Sequence, residues 1–137
     1  MKINDIKAYE LLDSRGNPTV GVEVFLSDGS AGLALVPSGA STGKYEAIEK
    51  RDGEKGRYLG KGVLEAVNSI YRDILPLLRD KDASDLFGND FLMIEADGSD
   101  SKGNFGANAI LAVSLACAKA AASSMKINLH DYINNKA

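Results

Sequence analysis

Apolar and polar residues alternate cleanly through "TVGVEVFL" (19–26), which puts Val20, Val22 and Val24 on one face. That two-residue period is the signature of a half-buried strand. A looser alternation runs through "INDIKAYELL" (3–12), and "AGLALV" (31–36) reads as a third strand. Turn chemistry separates them: "DSRGNP" supplies Gly16 and an Asn17–Pro18 step, and "SDGS" (27–30) supplies a second turn. Three short strands joined by tight turns predict an antiparallel meander.

Further along, the period lengthens. Val63, Leu64, Ala66, Val67, Ile70, Tyr71, Ile74, Leu75 and Leu78 recur at helical spacing, with Pro76 expected to kink the helix or split off its last turn. A second helix is predicted over residues 83–95, with Leu86, Phe87, Phe91, Met93 and Ile94 as its apolar content and Gly88 and Asn89 weakening it. "ADGSDSKGNFG" (96–106) reads as a loop, and "NLHDYINN" as a short closing helix. Between them, "ANAILAVSLACAKAAASSM" (107–125) approaches the length of a membrane span. Asn108, Ser114, Lys119 and Ser123 interrupt it, and alanine contributes little transfer energy, so a helix buried among other elements is expected instead of a membrane span. Strands first and about four helices afterwards make an α+β domain, with the helices on one face of a small sheet.

Composition narrows the class. A chain of 137 residues with 45% apolar and 26% charged residues has the make-up of one soluble, ordered domain. A net charge of −3 argues against a dedicated nucleic-acid binder. The lone cysteine, Cys117, has no internal disulfide partner, and "MKINDIKAYELL" lacks a hydrophobic signal core. A reduced, cytoplasmic setting is therefore expected.

The stretch "PSGASTGK" (37–44) carries the densest candidate chemistry. A phosphate-binding loop needs G-x-x-x-x-G-K followed by Ser or Thr. Here Gly39 and Gly43 are only three residues apart, Tyr45 stands at the hydroxyl position, and no parallel βαβ unit surrounds the loop. The nucleotide reading fails. A lid is a second reading, with Gly39 and Gly43 giving backbone freedom and Ser38, Ser41 and Thr42 offering oxygens to a hard cation. Spacing alone favours an ordinary solvated loop.

Other polar clusters are weaker. "GEKGRYLGKGV" (53–63) precedes a helix start where an anion could sit, but a turn feeding the helix is preferred. His130 has no neighbour of metal-ligand type. Asp90, Asp97 and Asp100 lack the calcium-loop pattern, and solvent is their expected partner.

Taken together, "DSRGNPTV" (13–20), "VPSGASTG" (36–43), "EAIEKRDG" (46–53), "YLGKGVLEAV" (58–67) and "GANAILAVSLACAKAAA" (106–122) resemble, in order and spacing, the amino-terminal domain of enolase. The resemblance covers almost the whole chain. It implies part of a glycolytic lyase that dehydrates 2-phosphoglycerate to phosphoenolpyruvate with two Mg²⁺ ions. A lysine base removes the C2 proton and a glutamate acid helps the C3 hydroxyl leave.

Those catalytic groups and three metal carboxylates belong, in the family, to a carboxy-terminal (β/α)₈ barrel of ~250 residues. The chain stops at "NNKA", about where a barrel should begin, so no catalytic residue is expected within 1–137 and no activity from this domain alone. By resemblance, Ser41 ligates the second Mg²⁺ through its hydroxyl and carbonyl oxygens, and the Ala40 backbone approaches the phosphorylated substrate. Gly39 and Gly43 correspond to lid hinges. Arg15 would face the barrel.

The implied partners are the protein's own barrel and a second copy in a homodimer or higher homo-oligomer. Surface or secreted forms occur among some relatives. Where many relatives carry arginine and glutamate that pair across the dimer, this chain has Tyr9 and Gly21. A free-standing interaction module with the same capping fold is the alternative.

Overall fold

The computed structural model describes residues 1–36 and 49–136. Three strands, β1 (Ile3–Leu12), β2 (Pro18–Leu26) and β3 (Ala31–Leu35), form one antiparallel sheet in the order β1-β2-β3. The register pairs Ala8 with Val22 and Val22 with Ala34, so every second residue turns to the same side. Ile6, Ala8, Val20, Val22, Val24 and Ala34 are buried on that side. The predicted meander is the one observed, with ends shifted by no more than one residue.

Five helices follow: α1 (Leu64–Ser69), α2 (Leu75–Leu78), α3 (Leu86–Asp97), α4 (Ala107–Met125) and α5 (Leu129–Lys136). A π-helical stretch, Ile70–Ile74, joins α1 to α2 in one continuous rod. Pro76 has no N–H to give and its ring crowds the carbonyl four residues back. The widened turn just before it accommodates that defect, so the expected interruption takes the form of a π-bulge.

Helix α4 packs on β2 and β3, while the rod packs on β1. Gly32 permits the closest approach. A Cβ there would lie 2.5 Å from the Ala116 carbonyl oxygen and collide with the Ala120 amide, so only glycine lets the helix backbone rest on β3. Buried Ala112, Ala116 and Ala120 keep α4 thin along the same line.

The exposed edge of β1 is partly occupied. Ile3 exchanges backbone hydrogen bonds with residues 80 and 81, and the Tyr71 hydroxyl accepts from the Ala8 amide at 2.9 Å while donating to the Ala8 carbonyl at 3.1 Å. At the other end, Tyr132 of α5 is fully buried and its hydroxyl donates to the Ser84 carbonyl.

Helix α3 departs from expectation. It begins three residues later than the apolar pattern suggested, because the Asp85 carboxylate accepts from the Gly88 amide and caps it there. It runs on to Asp97 and ends at left-handed Gly98. Of the five residues that make up its expected apolar content, Phe87, Phe91 and Ile94 are exposed.

Among the described residues, α4 is the one helix long and apolar enough to cross a membrane, and 61% of its apolar window is buried inside the protein.

Candidate functional site

Residues 37–48, which hold Gly39, Ala40, Ser41 and Gly43, lie outside the described residues. What the structure describes is how the chain is fastened on either side of them. On the entering side, Val36 donates its amide to the Val20 carbonyl, and its own carbonyl accepts from the Thr19 hydroxyl. Thr19 is buried, so this bond is shielded from water.

On the leaving side, Arg51 reaches back to the same strand end. Its guanidinium donates to the Pro18 carbonyl and, at 2.8 Å, to the Lys61 carbonyl, and it pairs with Glu49 at 3.0 Å. Consecutive residues at the start of β2 therefore hold both flanks of the segment. A third clamp comes from α4. Asn108, in its first turn, accepts from the Lys50 amide at 2.9 Å and donates to the Lys50 carbonyl at 3.2 Å.

Gly106, just before α4, has φ +98°, and a Cβ there would strike Lys50 and the Asn108 side chain. The glycine thus lets residue 50 dock on the helix start. Lys50 also gives its ammonium to the Asn104 carbonyl at 2.6 Å.

Beside these clamps, the 53–63 stretch is pinned by ion pairs. Arg57 makes a two-toothed contact with Glu10 of β1, and the Val63 amide adds a bond of 2.8 Å to the same carboxylate. The bond from Arg57, helped by that amide, outweighs burial and holds the Glu10 carboxyl below the usual range. Asp52 accepts from the Leu64 and Glu65 amides, so its carboxylate fills the place at the start of α1 where an outside anion could have sat. The tip, Tyr58–Leu59, adopts left-handed backbone angles, and Leu59 is 85% exposed.

Arg15 is exposed in a turn built on Asp13, whose carboxylate accepts from the amides of Arg15 and Asn17. His130 is exposed on α5, 3.2 Å from the Asn134 side-chain amide. Cys117 is buried, and burial pushes its thiol up to about 12, so it does not act as a nucleophile.

The acidic loop reads differently from the solvent-facing cluster expected. Asp97 is buried and organises the loop itself, accepting from the Ser99 amide and hydroxyl and from the Phe105 amide at 2.7 Å. Burial raises its carboxyl, but these bonds outweigh it and leave it below the ordinary range. Asp90 is half-buried against α4, with one oxygen lacking a partner among the described residues. No group of three or more His, Cys, Asp or Glu suited to a metal occurs among the described residues.

Thr19, Arg51 and Asn108 escaped sequence reasoning. Each reaches a backbone group at least 17 residues away, which no local period reports. Their only sequence signal was position: Thr19, Arg51 and Asn108 lie inside "DSRGNPTV", "EAIEKRDG" and "GANAIL".

A three-stranded antiparallel sheet backed by helices on one face defines an α+β domain, and the chain is hydrogen-bonded to the start of β2 on both sides of residues 37–48. The family model described as "Enolase, N-terminal domain" matches residues 3–133, and the chain belongs to that family. Membership places it with the lyases of the enolase superfamily.

Proposed function

We propose that this chain is the capping domain of a phosphopyruvate hydratase, the enolase that dehydrates 2-phosphoglycerate to phosphoenolpyruvate in glycolysis, in the cytoplasm. The observation that carries the reading is the double fastening of residues 37–48: Thr19 and Arg51 tie both flanks to the start of β2, and Asn108 ties the exit to α4. Fixed flanks with Gly39 and Gly43 inside them suit a lid that moves as a unit over a bound phosphorylated substrate. In this reading Ser41 offers its hydroxyl and carbonyl oxygens to a second Mg²⁺, and the Ala40 backbone meets the substrate.

Magnesium, when bound, supplies positive charge against the anion that forms when the C2 proton is removed. Serine oxygen is a hard donor of the kind Mg²⁺ takes, but one residue fills too few of its six positions. The remaining ligands, the lysine base and the glutamate acid are assigned to a (β/α)₈ barrel, so this domain alone is inactive. The work of 1–137 is to bring Ser41 and Ala40 to the substrate, and to exclude water while they are there.

The outer face of the sheet supports self-association. Tyr9 and Gly21, which replace the charged pair of many relatives, are direct cross-strand partners. Leu11 and Leu35 close over Gly21, where a Cβ would lie 2.8 and 2.9 Å from them, and Leu33 extends the strip. An apolar contact takes the place of ion pairs in the homodimer read here. The same strip would serve the alternative, a free-standing interaction module. Neither nucleic acid nor a membrane span enters this reading.

The test joins this domain to an enolase barrel and follows phosphoenolpyruvate formation. Ser41→Ala should lower turnover by at least about tenfold, on the order of 1.4 kcal/mol of lost transition-state stabilisation, and raise the magnesium concentration needed at the weaker site. An unchanged magnesium dependence would remove Ser41 from the site. Activity in the isolated 137-residue chain would overturn the division of labour.

A further inference from the structure

Helix α3 is apolar on two sides: Met93 is buried in the core with Leu86 and Leu92 packed against it, and a second apolar line faces outward. The buried positions of the helix are Asn89, Met93 and Asp97, while Phe87 and Phe91 are 69% and 62% exposed and Ile94 continues the line. Spaced four and three residues apart, the three form one stripe along the helix. Burying a phenylalanine stabilises by about 1.5–3 kcal/mol, so folding alone gives no reason to leave two neighbours in water. Adjacent exposed aromatics of this kind mark contact surfaces.

The surrounding charge says what could cover them. Residues 80–100 contain seven acidic residues against one lysine, Lys81, a net of −6 where the whole chain carries −3. The remainder is therefore net positive, and of the seven acids in this stretch Asp80, Asp82, Asp85, Glu95 and Asp100 are exposed. Asp85 and Glu95 are exposed at the two ends of α3.

We infer that the Phe87–Phe91–Ile94 stripe docks a basic amphipathic helix of another protein. Apolar side chains of that helix cover the stripe, and its lysines or arginines meet Asp85 and Glu95. An arginine can also stack on a phenyl face, which suits a cationic partner further. An anionic membrane or a nucleic acid would meet repulsion here. A second copy of the same face would set like charges against each other. The inference does not rest on the lid.

A labelled lysine–leucine amphipathic helical peptide is the probe, read by fluorescence anisotropy, with a glutamate–leucine peptide as its acidic counterpart. The native chain should bind the basic peptide and not the acidic one, more weakly as salt rises from about 50 to about 300 mM. Phe87→Ala/Phe91→Ala should weaken that binding by more than about tenfold with every carboxylate still in place. Both residues are exposed, so the thermal midpoint should hold and certify the fold.

Equal binding by the double variant would overturn the inference, reducing the effect to charge alone. So would binding of the native chain to phosphatidylcholine vesicles in preference to the peptide. Concentration-dependent self-association that disappears in the double variant would also overturn it, by making the stripe a contact between copies.

Discussion

Helices α3 and α4 touch each other and differ in what holds them. Helix α4 buries eleven of its nineteen residues, seven of them alanine, and its backbone comes against Gly32 of β3. Helix α3 buries three of twelve, and two of those, Asn89 and Asp97, are polar. Close packing positions α4, whereas hydrogen bonds position α3: Asn89 donates to the Asp82 carbonyl at 2.8 Å, Asp85 caps the start and Asp97 gathers the following loop. A helix held by packing fails when volume changes. One held by hydrogen bonds fails when a donor or acceptor is lost, and that can depend on pH.

Volume should give the largest effect. Gly32→Val places a branched side chain where even a Cβ meets the α4 backbone, and backbone cannot rotate aside. The helix must lift from the sheet, at a cost of about 3 kcal/mol, read as a lower urea midpoint. Gly56→Ala is the control. A Cβ there meets nothing within 4 Å and φ is not positive, so stability should change by less than about 1 kcal/mol. Equal losses in the two variants would break the distinction, since the close approach would then be tolerant.

The second effect tests the hydrogen-bonded side. Asp97→Asn removes the charge that accepts from Ser99 and Phe105 and should cost about 2 kcal/mol at neutral pH. The Asp97 carboxyl lies below its unfolded value, so its contribution is present above the unfolded value and is lost as pH falls through the folded one. The native chain should therefore lose this part of its stability in acid, and the gap between native and variant should close there. A gap independent of pH would mean that loop shape, and not charge, is what Asp97 supplies.

The same contrast explains what could be read from sequence. Helix α4 was legible to the residue because a long run of alanines has one structural meaning, and the strands were legible because valine recurs at every second position. For α3, six large apolar residues in thirteen positions announced a helix but not which side faced inward. That choice was made by Asp85, Asn89 and Asp97, whose partners are the Gly88 amide, the Asp82 carbonyl and the Phe105 amide. At the candidate site, family resemblance singled out Gly39, Ala40, Ser41 and Gly43. Local pattern was silent on Thr19, Arg51 and Asn108, because a bond to a distant carbonyl leaves no period behind.

The smallest effect has the opposite sign and lies where the two helices meet. Burial raises the Asp90 carboxyl, and a hydrogen bond from Ser114 of α4 only partly offsets this. Its other oxygen has no partner among the described residues. A group whose folded value lies above its unfolded one favours the fold below the unfolded value, and that advantage disappears as pH rises through the folded value. Wherever it is ionised, the carboxylate is thus a net burden on the α3–α4 contact. Asp90→Asn keeps an acceptor for Ser114 and removes the charge, so it should stabilise the domain by about 1 kcal/mol at pH 7. The gain should shrink to nothing in acid, where native Asp90 is neutral as well. Unfolding curves of both proteins across pH 3–8 separate the outcomes. A loss at pH 7 would show that Asp90 is ionised to advantage, which would require a cationic partner for its second oxygen.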